Sequence, residues 1–354
     1  MKNRMITFAS LLLLTAGVAA QTEVTVGVMH GKDYGVTYML PKTEIEVILY
    51  ATQHTYQPGE FCRYADRYLR LKDISATPHT YWTLDEIKTQ IVGVPDSEQV
   101  YFVKLKDKTT APLMELTQDG IVRSINLPYS GIPEEVEQPK VETSVPRVDP
   151  RQYLTEEILL TTSSAKMAEL VAKEIYNIRD SKNALIRGEA DYMPQDGAQM
   201  KLMLDNLNLQ EKAMMQMFTG TELTETKTFT LRVNPCEMHQ DVLARFSKIL
   251  GLLAKNDLAG EPIYISIHDT KTVAQPTEED KEKSKKLEGV AYRVPGKARV
   301  TLNYQRKKMV DEEVPVSQFG SLEYLAPVLF NKNSVTKVLF DTATGGLLKV
   351  EKGK

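Results

Sequence analysis

Three groupings of side chains in this sequence have the types that chemistry needs. His239, Asp241 and Ser247 supply a base, an orienting acid and a nucleophile, the set that a hydrolase uses. Composition alone provides such a triple in a chain of 354 residues. Glu189, Asp191 and Asp196 crowd carboxylates into a short connection, and oxygen ligands in a compact loop suit a hard cation such as Ca²⁺. The same acids fit a helix start, where they take free amide protons and favour the positive end of the dipole. That reading already accounts for Asp196. Cys62 and Cys236 are the third grouping. In an oxidising compartment they pair if close in space, closing a loop that could add up to ~5 kcal/mol on the chain-entropy account. Otherwise they are two inert buried thiols.

Little else suggests a reaction. His30, His54, His79, His239 and His268 stand singly, without metal-ligand spacing. The chain has no GxSxG elbow, P-loop, GxGxxG, CxxC or HExxH. No cofactor is expected, and no metal beyond the acidic connection. With a pI near 6.1 and interspersed charge, the longest basic run is Gln305, Arg306, Lys307 and Lys308, which argues against nucleic acid.

The elements that would position these residues are clearest between Leu154 and Gly220. Ala168, Val171, Ile175, Ile178 and Leu185 recur at helical spacing and form one apolar stripe. Ser163 and Ser164 can cap its start, and Gly188 sits where a left-handed residue ends a helix. From Ser164 to Arg187 such a helix runs ~35 Å. A second stripe, Met200, Met203, Leu204, Leu207, Met214, Met217 and Phe218, follows Asp196 and Gln199, which are spaced as a capping box; Gly220 ends it. The short connection predicts an antiparallel helical hairpin. Its methionines could line an adaptable groove but fit core packing better. Arg179, Lys182 and Arg187 are expected to pair with the acids of the connection.

Around the hairpin the pattern turns to period two. Val24 to Val28, Val36 to Leu40 and Ile45 to Leu49 alternate. Strands are also expected at Tyr81 to Leu84, Val100 to Leu105, Met114 to Thr117 and Ile121 to Ile125, the last two flanking an Asp119–Gly120 turn. Phe61, Tyr64, Ala65 and Tyr68 predict a short helix over one edge or end of the sheet. Residues 128–152 interleave prolines with acids and read as an extended linker. After Gly220 alternation resumes through Thr226 to Val233, Val242 to Phe246, Ile263 to Ile267, Val290 to Val294, Arg299 to Tyr304 and Val335 to Leu339. A final hairpin turns at Asp341 to Gly346. Lys271 to Leu287 is a mixed-charge run expected to be solvated. Gly35, Val36, Tyr38 and Pro41 match Gly289, Val290, Tyr292 and Pro295 at one spacing. This faint repeat reads as two related β units with the helices inserted between them.

At the start, Lys2 and Arg4 precede an apolar run that is too short to span a membrane, followed by Val18, Ala19 and Ala20. This reads as a secretory signal cleaved between Ala20 and Gln21. No cysteine stands there to take a lipid, so the protein is expected in the periplasm or beyond it, not as a lipoprotein and with no transmembrane segment in the mature chain.

Ile178 to Ser181, Leu185 to Asp191, Pro194, Asp196, Gly197, Lys201, Met203, Leu204, Leu207, Gln210, Glu211 and Phe218 to Thr221 resemble the signature of an uncharacterised family of exported Bacteroidales proteins. Tyr56 to Leu69, Ser317 to Gly320 and Phe340 to Leu347 extend the resemblance across the mature chain. It implies a Gram-negative envelope setting and carries no catalytic or binding residue.

The expected fold class is α+β: two strand-rich, antiparallel β units separated by a long antiparallel helical hairpin. The expected divisions are 1–20 signal peptide, 21–127 β-rich domain with a short helix, 128–152 linker, 153–221 helical hairpin and 222–354 second β-rich domain. The functional expectation is a non-enzymatic binding or scaffold protein meeting an unknown protein or glycan of the envelope. The alternative is an envelope hydrolase with a loop-built site.

Overall fold

The computed structural model describes residues 35–104, 114–127, 149–274, 289–325 and 336–352, with 277, 279 and 329 singly. The expected signal segment, its Ala20–Gln21 junction, His30 and most of the linker lie outside these residues. In chain order the elements are β1 (Gly35–Gln57), α1 (Ala65–Leu69), β2 (His79–Lys104), β3 (Met114–Leu116) and β4 (Val122–Ile125). Then come α2 (Glu156–Leu159), α3 (Ser164–Arg187), α4 (Gly197–Thr219), β5 (Thr221–Val233), β6 (Met238–Ser247) and β7 (Gly251–Leu253). The last are β8 (Glu261–Asp269), β9 (Val290–Tyr304), β10 (Lys307–Leu325), β11 (Thr336–Phe340) and β12 (Leu347–Lys352).

Strands dominate, and the sheets are antiparallel. They run β2-β1-β5, β10-β9-β8-β6-β7 and β12-β11-β4-β3. The two strand-rich segments therefore do not form separate sheets. β5, from beyond the helices, pairs with β1 from Ile45 opposite Val233 to Gln57 opposite Thr221. β11 pairs with β4 through Val338–Ile125 and Leu339–Ser124. The cores follow the same mixing. Ile45, Val47, Leu49 and Ile87 share one cluster with Ile263, Ile265, Val300 and Leu302, and Tyr38 and Leu40 share another with Val290 and Val338. An apolar sheet face must be covered, and here each segment covers the other.

The faint sequence repeat has a structural counterpart. In the β3–β4 hairpin Met114 faces Ile125, Glu115 faces Ser124 and Leu116 faces Val122, with a register shift before Leu116. In the β11–β12 hairpin Val338 faces Val350, Leu339 faces Lys349 and Phe340 faces Leu347, with the shift before Phe340. The turn glycines, Gly120 (φ 83) and Gly345 (φ 74), are both left-handed, where a side chain is disfavoured. Each turn carbonyl accepts a backbone N–H from the matching point of a long strand: Met39 to Gly120 at 2.9 Å and Arg293 to Gly345 at 3.0 Å. Met39 is the fifth residue of the Gly35 motif, as Arg293 is of the Gly289 motif. The long hairpins β1–β2 and β9–β10 also share an irregularity. One residue is set against four between Met39–Val100 and Pro41–Pro95, and again between Val294–Ser321 and Gly296–Val316. Two β units of one plan thus make up most of the strands.

Polar contacts tie the units together. The Arg293 guanidinium bonds the Asp96 carboxylate at 2.7 Å with both side chains largely buried, and Lys42 approaches Asp96 at 3.3 Å. Thr43 N–H donates to Ser317 Oγ at 2.9 Å, Ser317 N–H donates to Thr43 Oγ1 at 3.0 Å, and Thr43 Oγ1 donates to the Ala343 carbonyl at 3.0 Å. Gly320 must be small there, because a Cβ would lie 1.9 Å from the Val294 carbonyl oxygen.

α3 and α4 lie side by side and start and stop as their sequences dictate. Ser163 caps α3, accepting from Lys166 N, and Gly188 closes it in the left-handed region. There Gly188 N–H bonds Leu185 O and Glu189 N–H bonds Ala184 O. Asp196 caps α4, accepting from Gln199 N at 2.7 Å, while the Gln199 side chain accepts from Gln195 N at 2.8 Å. Ala168, Val171, Ile175 and Ile178 bury against Met214, Met217 and Phe218. The segment Phe61 to Leu69 completes this cluster. Just beyond the Gln57 end of the β1–β5 pairing, Phe61 and the short helix α1 pack against α3 and α4, with Phe61, Ala65 and Leu69 buried among their side chains.

Candidate functional site

A strand presents alternate residues to opposite faces. On the β2-β1-β5 sheet, Val47, Leu49 and Ala51 point into the core and are fully buried. Their neighbours Thr52, His54 and Tyr56 point the other way. Register places Thr83, Tyr81 and His79 of β2 opposite them on one side, and Thr226, Thr224 and Glu222 of β5 on the other. Three strands thus bring three rows of hydroxyls, rings and carboxyl groups onto one open face.

These side chains hold each other. The His54 ring stacks on Tyr81 with centroids 4.5 Å apart and planes 2° from parallel, and Tyr56 lies 4.8 Å from His79. Glu222 Oε1 bonds His54 Nδ1 at 3.0 Å and accepts from Tyr81 OH at 2.9 Å. That carboxylate raises the Tyr81 hydroxyl above its ordinary value. Thr83 Oγ1 lies 3.1 Å from His54 Nε2 and donates to Asp85 at 2.8 Å. Thr52 Oγ1 donates to the other Asp85 oxygen at 2.6 Å and meets Thr226 Oγ1 at 2.9 Å. The result is a row of linked donors and acceptors lying across three strands.

Close to the Gln57 end of this sheet is a cleft of about 460 Å³ lined by Glu60, Asp149, Pro150, Arg151, Gln216, Met217 and Thr221. Arg151 reaches toward Glu60 at 3.5 Å, with both groups well exposed. Asp149 is already engaged, capping a short 3-10 turn by accepting from Arg151 N.

The groupings singled out in the sequence fare differently. His239, Asp241 and Ser247 all lie on β6, and the six residues from Asp241 to Ser247 span roughly 20 Å of strand, which rules out a triad. Ser247 Oγ instead accepts from Ile249 N and Leu250 N in the turn that follows. Asp196 is a helix cap, Glu189 makes a long exposed pair with Arg187 at 3.8 Å, and Asp191 is exposed. Among the described residues no three His, Cys, Asp or Glu side chains come together to hold a metal. The partners expected for Arg179 and Lys182 are corrected: both turn to Glu211 of α4, Arg179 Nε at 2.6 Å and Lys182 through Nζ. Burial works to raise the Glu211 carboxyl, but these two donors outweigh it and hold it below its ordinary value.

Cys62 and Cys236 are free thiols, one half-buried and one exposed, so neither expectation for them holds. They flank opposite ends of the β1–β5 pairing, and the strand from Ile45 to Gln57 is about 40 Å long, far beyond disulfide reach. Met214 and Met217 are core residues, while Met200 and Met203 are half-buried. Of the histidines, His239 and His268 come within 5.0 Å, and His268 Nδ1 meets Glu237 at 2.9 Å. The His54 network has a sequence signal in period two, Thr52-x-His54-x-Tyr56 and His79-x-Tyr81-x-Thr83-x-Asp85. Only the strand register shows that the two runs and Glu222 meet.

No helix among the described residues is long and apolar enough to cross a membrane. A family model described as Domain of unknown function (DUF4831) matches residues 34–348. No curated protein and no solved structure matches.

Proposed function

The chain belongs to the DUF4831 family of unknown function, and on that premise we propose that it is a non-enzymatic binding protein exported to a Gram-negative envelope, taking a glycan on the open face of the β2-β1-β5 sheet. The observation that carries this reading is the Glu222–His54–Thr83–Asp85–Thr52–Thr226 network with Tyr81. A polyhydroxylated ligand needs donors and acceptors fixed in advance, because each hydrogen bond it forms replaces one to water and repays little if side chains must first be ordered. Threonine hydroxyls on a paired sheet meet that need, and Thr224 and Thr226 remain exposed beside the rings, with Thr230 exposed farther along the same strand. The charged, apolar and small-residue succession from Lys2 to Ala20 and the resemblance to exported Bacteroidales proteins support the location. We read α3 and α4 as an antiparallel helical hairpin that braces one end of this sheet. In support, Arg179 meets Glu211 and Met215 while Lys182, one turn on, meets Asn208 and Glu211.

Calorimetric titration of the mature protein against a panel of purified envelope polysaccharides tests the reading. At least one should bind, and the double variant Glu222→Gln, Tyr81→Phe should lose that binding at least ten-fold while melting within a few degrees of wild type. Binding that survives the double change places the ligand elsewhere.

A further inference from the structure

Among the described residues, the repeat of the two β units leaves two strand edges without a paired neighbour, in a specific way. β3 corresponds to β11 and β4 to β12, pair for pair and with the register shift at the same step. In the four-stranded sheet the second strand of one hairpin, β4, pairs with the first strand of the other, β11, through Val338 opposite Ile125 and Leu339 opposite Ser124. That junction is head to tail: a second-strand edge meets a first-strand edge. One edge of each kind recurs at the two ends of the sheet, β12 and β3, where no further strand is paired among the described residues.

We propose that copies of this chain join head to tail, β12 of one against β3 of the next, repeating between molecules the junction that β4 and β11 make within one. Replacing each residue of the internal junction by its counterpart gives the register without further assumption. Ile125 becomes Val350 and Val338 becomes Met114, so Met114 faces Val350. Ser124 becomes Lys349 and Leu339 becomes Glu115, so Glu115 faces Lys349. An apolar pair next to an opposite-charge pair is the composition that stabilises antiparallel neighbours. Lys349 now bonds Glu351 of its own strand at 2.7 Å with both side chains about half exposed, an arrangement that leaves its ammonium within reach of a second acid.

Burial points the same way. Ile125 and Ser124 are fully buried under the internal junction, whereas their counterparts are open: Val350 is 49% exposed and Lys349 is exposed, with Leu348 beside them at 63%. An edge strand with exposed apolar side chains is a template for pairing with another chain. The occupant is a second copy because the complementary edge, in matching register and charge, is on this same chain. A head-to-tail contact does not close in a pair as a two-fold contact does, so the product is a linear series or a ring. This inference concerns how copies meet and does not depend on what the sheet face binds.

Two measurements on the mature chain decide it. In a Cys62→Ser, Cys236→Ser background, Met114→Cys with Val350→Cys should give a ladder of dimers, trimers and larger species on mild oxidation, and either cysteine alone should give no ladder. The two positions lie on the outermost of four strands, about 14 Å apart within one molecule, so they cannot close internally. Sedimentation of the wild-type chain should show mass rising with concentration. Lys349→Glu should weaken association about five-fold, and Glu115→Lys added to it should restore association. A double-cysteine variant that stays monomeric would overturn the proposal. So would dimers from Val350→Cys alone, which would mean that β12 pairs with itself, or a charge swap that fails to restore.

Discussion

Replacing Glu211 by glutamine tests the clamp between α3 and α4. Glu211 is 16% exposed and takes Arg179 on one carboxylate oxygen and Lys182 on the other, and Lys182 is itself only 17% exposed. Glutamine keeps the size and one acceptor oxygen but turns an amide NH₂ toward the other donor, so one charge-assisted bond is lost and a partly buried cation is left without its anion. Bonds to charged groups contribute ~1.5–3 kcal/mol, and because Arg179 is 38% exposed the lower part of that range applies, about 2 kcal/mol at neutral pH. With unfolding entropy of ~2.1 cal/mol/K per residue, that is roughly 3 °C in Tm for a cooperative unit of this length. The pH dependence follows from the direction of the shift. The folded Glu211 carboxyl lies below its unfolded value, so its stabilisation is complete above the unfolded value and disappears as pH falls through the folded one. Melts of wild type and Glu211→Gln should therefore differ fully at pH 7 and converge below about pH 4. Equal melts at pH 7, or a gap that persists undiminished at pH 3, would refute this account.

The buried stripe of α3 gives a second prediction: Ile175→Ala, at a position with no exposure, should cost ~2–5 kcal/mol in urea melts through lost burial and a cavity, whereas Asp196→Ala should cost only ~0.5–2 kcal/mol as a lost cap. Equal costs would mean that the acidic connection does more than cap. Export gives a third: mass spectrometry of protein recovered from its host should find Gln21, free or cyclised, at the N-terminus, and an intact Met1 terminus would contradict it.

What the sequence made legible was set by how locally each feature is determined. The limits of α3 and the start of α4 were readable because Ser163, Gly188, Asp196 and Gln199 act on backbone groups within a turn of themselves. β1 was expected as separate short strands because Pro41 interrupts the pattern; Pro41 sits at the irregularity where the ladder with β2 skips residues, and the strand continues past it. β10 was passed over because Asp311, Glu312, Glu313 and Pro315 dilute its alternation, although Val316 is fully buried. The His54 network was illegible because Glu222 joins it from a strand more than 150 residues away, and nothing short of the β1–β5 register brings it there. The same distance hid the mixing of the two strand-rich segments.

The repeat was faint for a physical reason, and that reason bears on the proposed assembly. The matching positions include ones where geometry leaves little choice: a Cβ on Gly289 would lie 2.3 Å from the Leu325 carbonyl oxygen, and Pro41 and Pro295 both pack against the Gly345–Gly346 turn, with 2.9 and 3.1 Å to the nearest added Cβ. Elsewhere the two units occupy different surroundings, so equivalent positions carry different residues. Ser124 and Ile125 lie between β3 and β11 and are small or apolar, while Lys349 and Val350 have β11 on one side and, among the described residues, no strand on the other, and they include a charge. If β12 were only a terminal edge to be blunted, charges at both positions of the equivalent pair would serve best, since edge strands resist pairing through such residues. Instead Lys349 stands next to exposed Leu348 and Val350, and its counterpart across the repeated junction is the acid Glu115. A lysine that deters arbitrary strands while admitting one that carries glutamate in register selects a partner, and that combination of exclusion and acceptance is how charge sets specificity at an edge.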